Sequence, residues 1–206
     1  VLPDTQFYSR YDAPSGGSMF ADRYGSNPYD SQAHFVVDNA KALNIPFTSH
    51  LGDVVDEADV ADQWDIANHA MSILEDSGMN YAILPGNHDL YMDGANSVFS
   101  THFDTARAEK NDTFGERTSA TVNGQAVESE YHIFEAEGQK YLLLALGFRA
   151  PDETLDWAQK VIDAHPELPV ILTSHEISNI DGEGNIGLTP EYGQHLWDTL
   201  IAKNDQ

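Results

Sequence analysis

Short apolar runs alternate along this chain with longer segments whose apolar residues recur at helical spacing. Val1-Leu2-Pro3 reads as the end of a strand, and IPFTSHLG (45–52), NYAILPG (80–86) and PVILTS (169–174) read as further strands. SQAHFVVDNAKALN (31–44) has a helical pattern with Ser31 as its cap. Residues 58–78 predict a helix stopped by Gly78. A further helix is expected across 93–103. DETLDWAQKVIDAH (152–165) is an amphipathic helix ended by Pro166, and 189–204 is a helix with Thr189 as cap and Pro190 in first position. EYHIFEAEGQKYLLLALG (130–147) predicts a hairpin turning at Glu137-Gly138. Residues 7–30 read as a long loop and 104–129 as polar, irregular chain. No repeat and no linker interrupts the pattern. One α/β domain over 1–206, with a mostly parallel sheet, is the expectation.

Composition narrows the function classes. The 206 residues suffice for one sizeable core, and 41% hydrophobic content argues against disorder. No apolar run approaches the roughly 18 residues of a membrane-spanning helix. Acidic residues outnumber basic ones 34 to 10, a formal net charge of -24. That field disfavours nucleic-acid polymers and acidic membranes as partners. It suits a solvated surface in salty water, a surface that collects cations, or both. With no cysteine, disulfide and thiolate chemistry are excluded. No basic stretch followed by an apolar stretch opens the chain, so any export signal is expected to have been removed.

The polar residues that follow the strands change the picture most. Asp4-Thr5-Gln6 follows the first, Asp53-Val54-Val55-Asp56 the second, Asn87-His88-Asp89 the third, and His175 the fourth. In a parallel α/β sheet the carboxyl ends of the strands share one edge, where ligands bind. Each residue alone has an ordinary explanation: a turn-capping Asp, a Gly-Asn turn, a hydrogen-bonded core histidine. Together they bring carboxylate, amide oxygen and imidazole to one crevice, a donor set suited to divalent ions. No phosphate-cradling glycine loop precedes a helix, which weakens the rival reading of a sugar or nucleotide binder.

LPDTQ, LGDVVD, LPGNHD and VILTSHE, in this order, resemble the calcineurin-like metallophosphoesterase superfamily, whose pattern is D-x-H, G-D-x-x-D, G-N-H-D/E, a lone H and then G-H-x-H. The resemblance implies a layered α/β/β/α sandwich around two divalent ions (Mn, Fe, Zn or Co). A hydroxide bridging the ions would hydrolyse small phosphate mono- or diesters. By matching positions, Asp4 and Gln6 would hold the first ion, Asp53 would bridge, and Asn87 and His175 would hold the second. His88 would stay off the metals and assist the leaving group, oriented by Asp89. Asp56 would support the ligands from behind. The PDTQ opening also resembles a bacterial branch of exported enzymes, which implies an extracellular or periplasmic location.

Two departures qualify this. Gln6 stands where the family has His, which implies a looser first site. No G-H-x-H is present; the nearest candidate, Gly193-Gln194-His195, falls in a predicted helix and lacks the second His. The expectation is a sandwich incomplete at its C-terminus, lacking two histidine ligands, with one ion or none bound and little activity. A non-catalytic metal-binding or adhesion module of a larger exported protein is the alternative. His34, His69, His132 and His165 read as structural, and His50 as core or support. His102 is a candidate substrate contact, and Arg107, Lys110 and Arg117 are candidate phosphate contacts.

Overall fold

The apolar runs pair into two main sheets that pack on one another, with a separate two-stranded pair late in the chain, and amphipathic helices cover the outer faces. The computed structural model describes residues 1–90, 98–180 and 183–204. In chain order come helices α1 (Gln6–Asp12), α2 (Met19–Tyr24) and α3 (Pro28–Asn39), strand β1 (Thr48–His50), helix α4 (Ala61–Asp76) and strand β2 (Tyr81–Ile83). Short helices α5 (Phe99–His102) and α6 (Thr105–Ala108) lead into strands β3 (Phe114–Val122), β4 (Gln125–Ala136) and β5 (Gln139–Leu146). Helix α7 (Asp152–Ala164), strand β6 (Val170–Ser174), the pair β7 (Ser178–Ile180) and β8 (Ile186–Leu188), and helix α8 (Gly193–Thr199) complete the order.

Strands β1 and β2 are parallel, and Leu2 bridges in parallel to His50. The second sheet runs β3-β4-β5-β6, with only its last pairing parallel. The α/β class holds, but the second sheet is mainly antiparallel because tight hairpins join its strands. Glu137 and Gly138, at φ 51° and 77°, make the expected turn between β4 and β5.

Alternation along single strands builds the layers. In β2, Tyr81 and Ile83 face the cluster formed with α3 and α4, while Ala82 turns to the other side. In β5, Leu142, Leu144 and Leu146 face α7 and α8, while Leu143 and Ala145 meet Ala82 and Leu84 between the sheets. Helix covers sheet, sheet covers sheet, and helix covers sheet again, in the order α/β/β/α.

Several boundaries differ from the sequence reading. Residues 7–30 are mostly helical, not a loop. Short helices α1 and α2 are held by aromatic pairs such as Tyr8 with Phe20, 6.3 Å between ring centroids. Helix α3 starts at Pro28, because the Asn27 side chain accepts from the N–H groups of Tyr29 and Asp30. Residues 104–129 are also ordered. They hold α6, β3 and the start of β4, joined by Asn123-Gly124 at φ 51° and 82°, the left-handed pair that a two-residue hairpin needs. The helix expected at 93–103 is seen as α5 only, residues 93–97 lying outside the described residues. Helix α8 begins four residues after Thr189, whose Oγ1 accepts from Gly193 N–H.

Candidate active site

The strand ends meet through two touching loops. After β1 the chain turns through Gly52 (φ 87°) and Asp53 (φ 48°). A Cβ on Gly52 would come within 2.8 Å of the Gly86 nitrogen, and one on Gly86 would collide with the Asp53 carboxylate and amide. Glycine at both positions therefore lets the Asp53 loop and the Asn87 loop touch backbone to backbone. Asp53 itself holds a left-handed conformation that costs a non-glycine residue about 1–3 kcal/mol, a strain typical of functional turns.

Asp53 is 2% exposed and lies at the centre of the cluster. Its Oδ1 accepts from the His88 backbone N–H at 2.8 Å. Its Oδ2 accepts from Gln6 Nε2 at 3.3 Å and lies 3.2 Å from His175 Nε2. Gln6 Nε2 also donates to Asp4 Oδ2 at 3.0 Å. At the end of β6, His175 donates from Nδ1 to the Leu51 carbonyl at 2.9 Å. That bond turns Nε2 toward Asn87 Oδ1, 3.1 Å away, as well as toward Asp53. Burial alone would disfavour the imidazolium. The Asp53 hydrogen bond and charge, with the Leu51 carbonyl, outweigh burial and push His175 up to about 9. Asp4, Gln6, Asp53, Asn87 and His175 are thus brought together, from the ends of the Leu2 bridge, β1, β2 and β6.

His88 and Asp89 part company. The His88 Nδ1 lies 2.7 Å from the Asp56 carbonyl and 3.3 Å from Asp56 Oδ1, so Asp56, not Asp89, orients the ring. Asp89 is fully buried and points to backbone instead: Oδ1 accepts from Val54 and Val55 N–H at 2.8 and 3.1 Å, Oδ2 from Gly86 N–H at 2.8 Å. Burial first, and the Asp53 charge second, push Asp89 up to about 8 against those three donors. Its place is to bind the two loops together.

The other candidates resolve into structure. His50 is buried, its Nδ1 accepting from Gly52 N–H and its Nε2 facing Thr5 Oγ1 at 3.0 Å and Tyr29 OH at 2.9 Å. Burial, then the His175 charge, lower it to about 3. His102 stacks on Trp64, 4.5 Å between ring centroids, and pairs with Asn68 on α4. Arg107 pairs with Glu75 and Arg117 with the buried Glu130, so both are engaged in ion pairs of the fold; Lys110 is exposed. His195 lies 2.6 Å from Asp152 of α7. Sequence reasoning missed Arg10, which pairs with Asp56, and Phe148, whose ring sits edge-on to His175. Arg10 lay in a segment read as loop, and nothing local marked Phe148.

Residues 18–204 match the profile of the calcineurin-like phosphoesterase family. The chain belongs to that family. The matched segment contains Asp53, Asn87, His88 and His175 and begins after Asp4 and Gln6. The chain is also 31% identical over 204 residues to "Uncharacterized protein YvnB" of Bacillus subtilis (strain 168), covering 98% of this chain and 14% of that protein. Phosphoesterases of this family are metal-dependent hydrolases. Among the described residues no three His, Asp or Glu side chains are grouped as a metal site. The chemistry nevertheless fits at one position. The imidazole Nε2 of His175 lies 3.1 Å from the Asn87 amide oxygen and 3.2 Å from a carboxylate oxygen of Asp53, so donors from three strand ends meet at that nitrogen. The Asp4–Gln6 side fits less well. The Gln6 amide N–H bridges the two carboxylates, while Gln6 Oε1 is buried without a hydrogen-bond partner. Rotation of that amide would aim the unpaired oxygen where the N–H now points.

A groove of about 470 Å³ opens beside Asn87. Phe148 and Arg149 form one wall, Asn123 and Gln125 of the β3–β4 hairpin another. Arg149 holds Glu176 through two hydrogen bonds of 2.6 and 3.2 Å, which fixes the groove wall to the residue after His175.

Proposed function

We propose that the chain hydrolyses small phosphate mono- or diesters at the Asp53–Asn87–His175 cluster, with His88 protonating the leaving oxygen. The observation that carries this is the placement of Asn87 Oδ1 and Asp53 Oδ2 at 3.1 and 3.2 Å from His175 Nε2, in a chain of this family. Two divalent ions, when bound, would supply Lewis-acid charge and a water nucleophile of lowered pKa. Asp53, Asn87 and His175 would hold one, and Asp4, Gln6 and Asp53 the other. The chain's own contribution is positional. Leu51 and Asp56 fix the tautomers of His175 and His88 through their Nδ1 atoms. His88 Nε2 is then the ring atom left for the leaving group, which the groove beside Asn87 would receive. The test is hydrolysis of aryl phosphate mono- and diesters with added Mn, on this chain and on the chain extended beyond Gln206. Metal-dependent turnover abolished by Asp53→Asn is the expected result. Absence of turnover with every ester, in both forms, would overturn the proposal.

A second reading has its own observation. Asp4, Gln6 and Asp53 satisfy one another by hydrogen bonds, as a polar cluster with no catalytic task would. On that reading the fold is a non-catalytic metal-binding or adhesion module of a larger exported protein, and no phosphate ester would turn over whether or not Mn binds.

A further inference from the structure

Arg10, Asp56 and His88 form a chain of contacts that uses none of the metal-ligand positions. Arg10 lies on α1, one turn beyond Gln6, and its guanidinium pairs with Asp56 Oδ2. The other oxygen of that carboxylate faces His88 Nδ1 at 3.3 Å, where the Asp56 carbonyl also accepts at 2.7 Å. The Asp56 backbone is fixed from α4, because Gln63 Oε1 accepts from both Asp56 and Glu57 N–H at 3.0 Å. Nothing in that clamp sets the rotamer of the Asp56 side chain. The carboxylate is 6% exposed, so water reaches it little, and its two oxygens are divided between Arg10 and His88.

We infer that Arg10 is a positioning residue for His88: it holds the Asp56 carboxylate in the rotamer that ties His88 Nδ1, and so aims Nε2 at the leaving oxygen. This rests on the reading of His88 as proton donor. The Arg10 end of the pair is 40% exposed, and solvent there screens what the pair adds to the fold. The geometry gives Arg10 a consequence of another kind. Without it the carboxylate can swing away, the ring is held by one carbonyl only, and donation to a poor leaving group suffers.

Two measurements on Arg10→Met and Arg10→Lys test this. In metal-free protein carrying ¹⁵N-labelled histidine, the His88 Nδ1–H resonance is identified by its loss in His88→Gln. It should broaden or shift in Arg10→Met and return in Arg10→Lys, with both variants folded by thermal melt. An unchanged resonance in Arg10→Met overturns the inference whatever the activity. In turnover, Arg10→Met should lose roughly tenfold in kcat on aryl phosphates with poor leaving groups, the lower end of what removing an outer partner costs. With the best leaving group it should lose nothing, and KM should hold throughout. An equal loss across leaving groups, or none, overturns it. If the wild type turns over no ester, the proposed function fails by itself, and the resonance still decides the role of Arg10.

Discussion

Asp53 Oδ2 and His175 Nε2 lie 3.2 Å apart, and this contact joins the end of a strand in one sheet to the end of a strand in the other. The cluster is therefore also a clasp across the sandwich. A cation there would meet the His175, Asn87 and Asp53 donors without breaking any contact between Gln6 and Asp4. The Asp4–Gln6 side has to break two hydrogen bonds first. Calorimetry with Mn should accordingly show one site in this 206-residue chain, lost in His175→Ala. Two tight sites would sink this prediction.

Gly86 tests whether the loop contact builds the site. A Cβ there would run into both the carboxylate and the amide of Asp53. Relief requires the Asn87 loop to move away from the Asp53 loop. Gly86→Ala should cost about 1–3 kcal/mol of stability, as overpacking does. It should weaken Mn binding more than Gly187→Ala, a glycine with open space around it. Denaturant melts and Mn titration of both variants would check this. Equal Mn affinity in the two would show that the loop contact is not needed.

The site was legible where structure follows sequence locally. An apolar run sets a strand, and the polar residue after it must emerge at the strand's carboxyl end, which is where Asp4, Asp53, Asn87 and His175 lie. Adjacency misled at Asp89. It follows His88 in the chain, yet the tight turn from Gly86 tucks its carboxylate onto three backbone N–H groups. The residue that does orient His88, Asp56, comes from another loop. The β3–β4 hairpin was hidden by its composition, since its strands bury Glu128, Glu130 and His132, which read as surface. The Asn123-Gly124 turn was the signal available. Arg10 could not be found without knowing that residues 6–12 are helical.

His88 should show itself through the leaving group. Its Nδ1 is occupied by Asp56, so only Nε2 can pass a proton. Replacing a general acid costs roughly 100- to 10,000-fold. His88→Ala should lose that much on alkyl phosphates and far less on nitrophenyl phosphates, whose leaving groups need no proton. Mn binding should persist, because the residue's bond to Asp53 is through its backbone N–H. A loss of equal size on both substrates would remove His88 from the role of acid.

Glu130 joins the sheets from the inside. It is 1% exposed, pairs with Arg117, lies 3.2 Å from His132, and accepts the Ile83 N–H of β2 at 2.9 Å. Burial opposes its ionisation, but the hydrogen bond from His132, the charge of Arg117 and the Ile83 N–H outweigh burial and lower it below the ordinary 4.5. A carboxylate depressed in the folded state stabilises the fold above its unfolded value, and that contribution is lost as pH falls through the folded one. Thermal melts should therefore show the protein losing stability as pH drops below about 4.5, the ordinary Glu value. Glu130→Gln leaves Arg117 buried and unpaired, which should cost about 3–5 kcal/mol at neutral pH. The variant should also lose this part of the acid dependence. A variant with wild-type stability at pH 7 would show that the Arg117–Glu130–His132 cluster contributes nothing to the junction of the sheets.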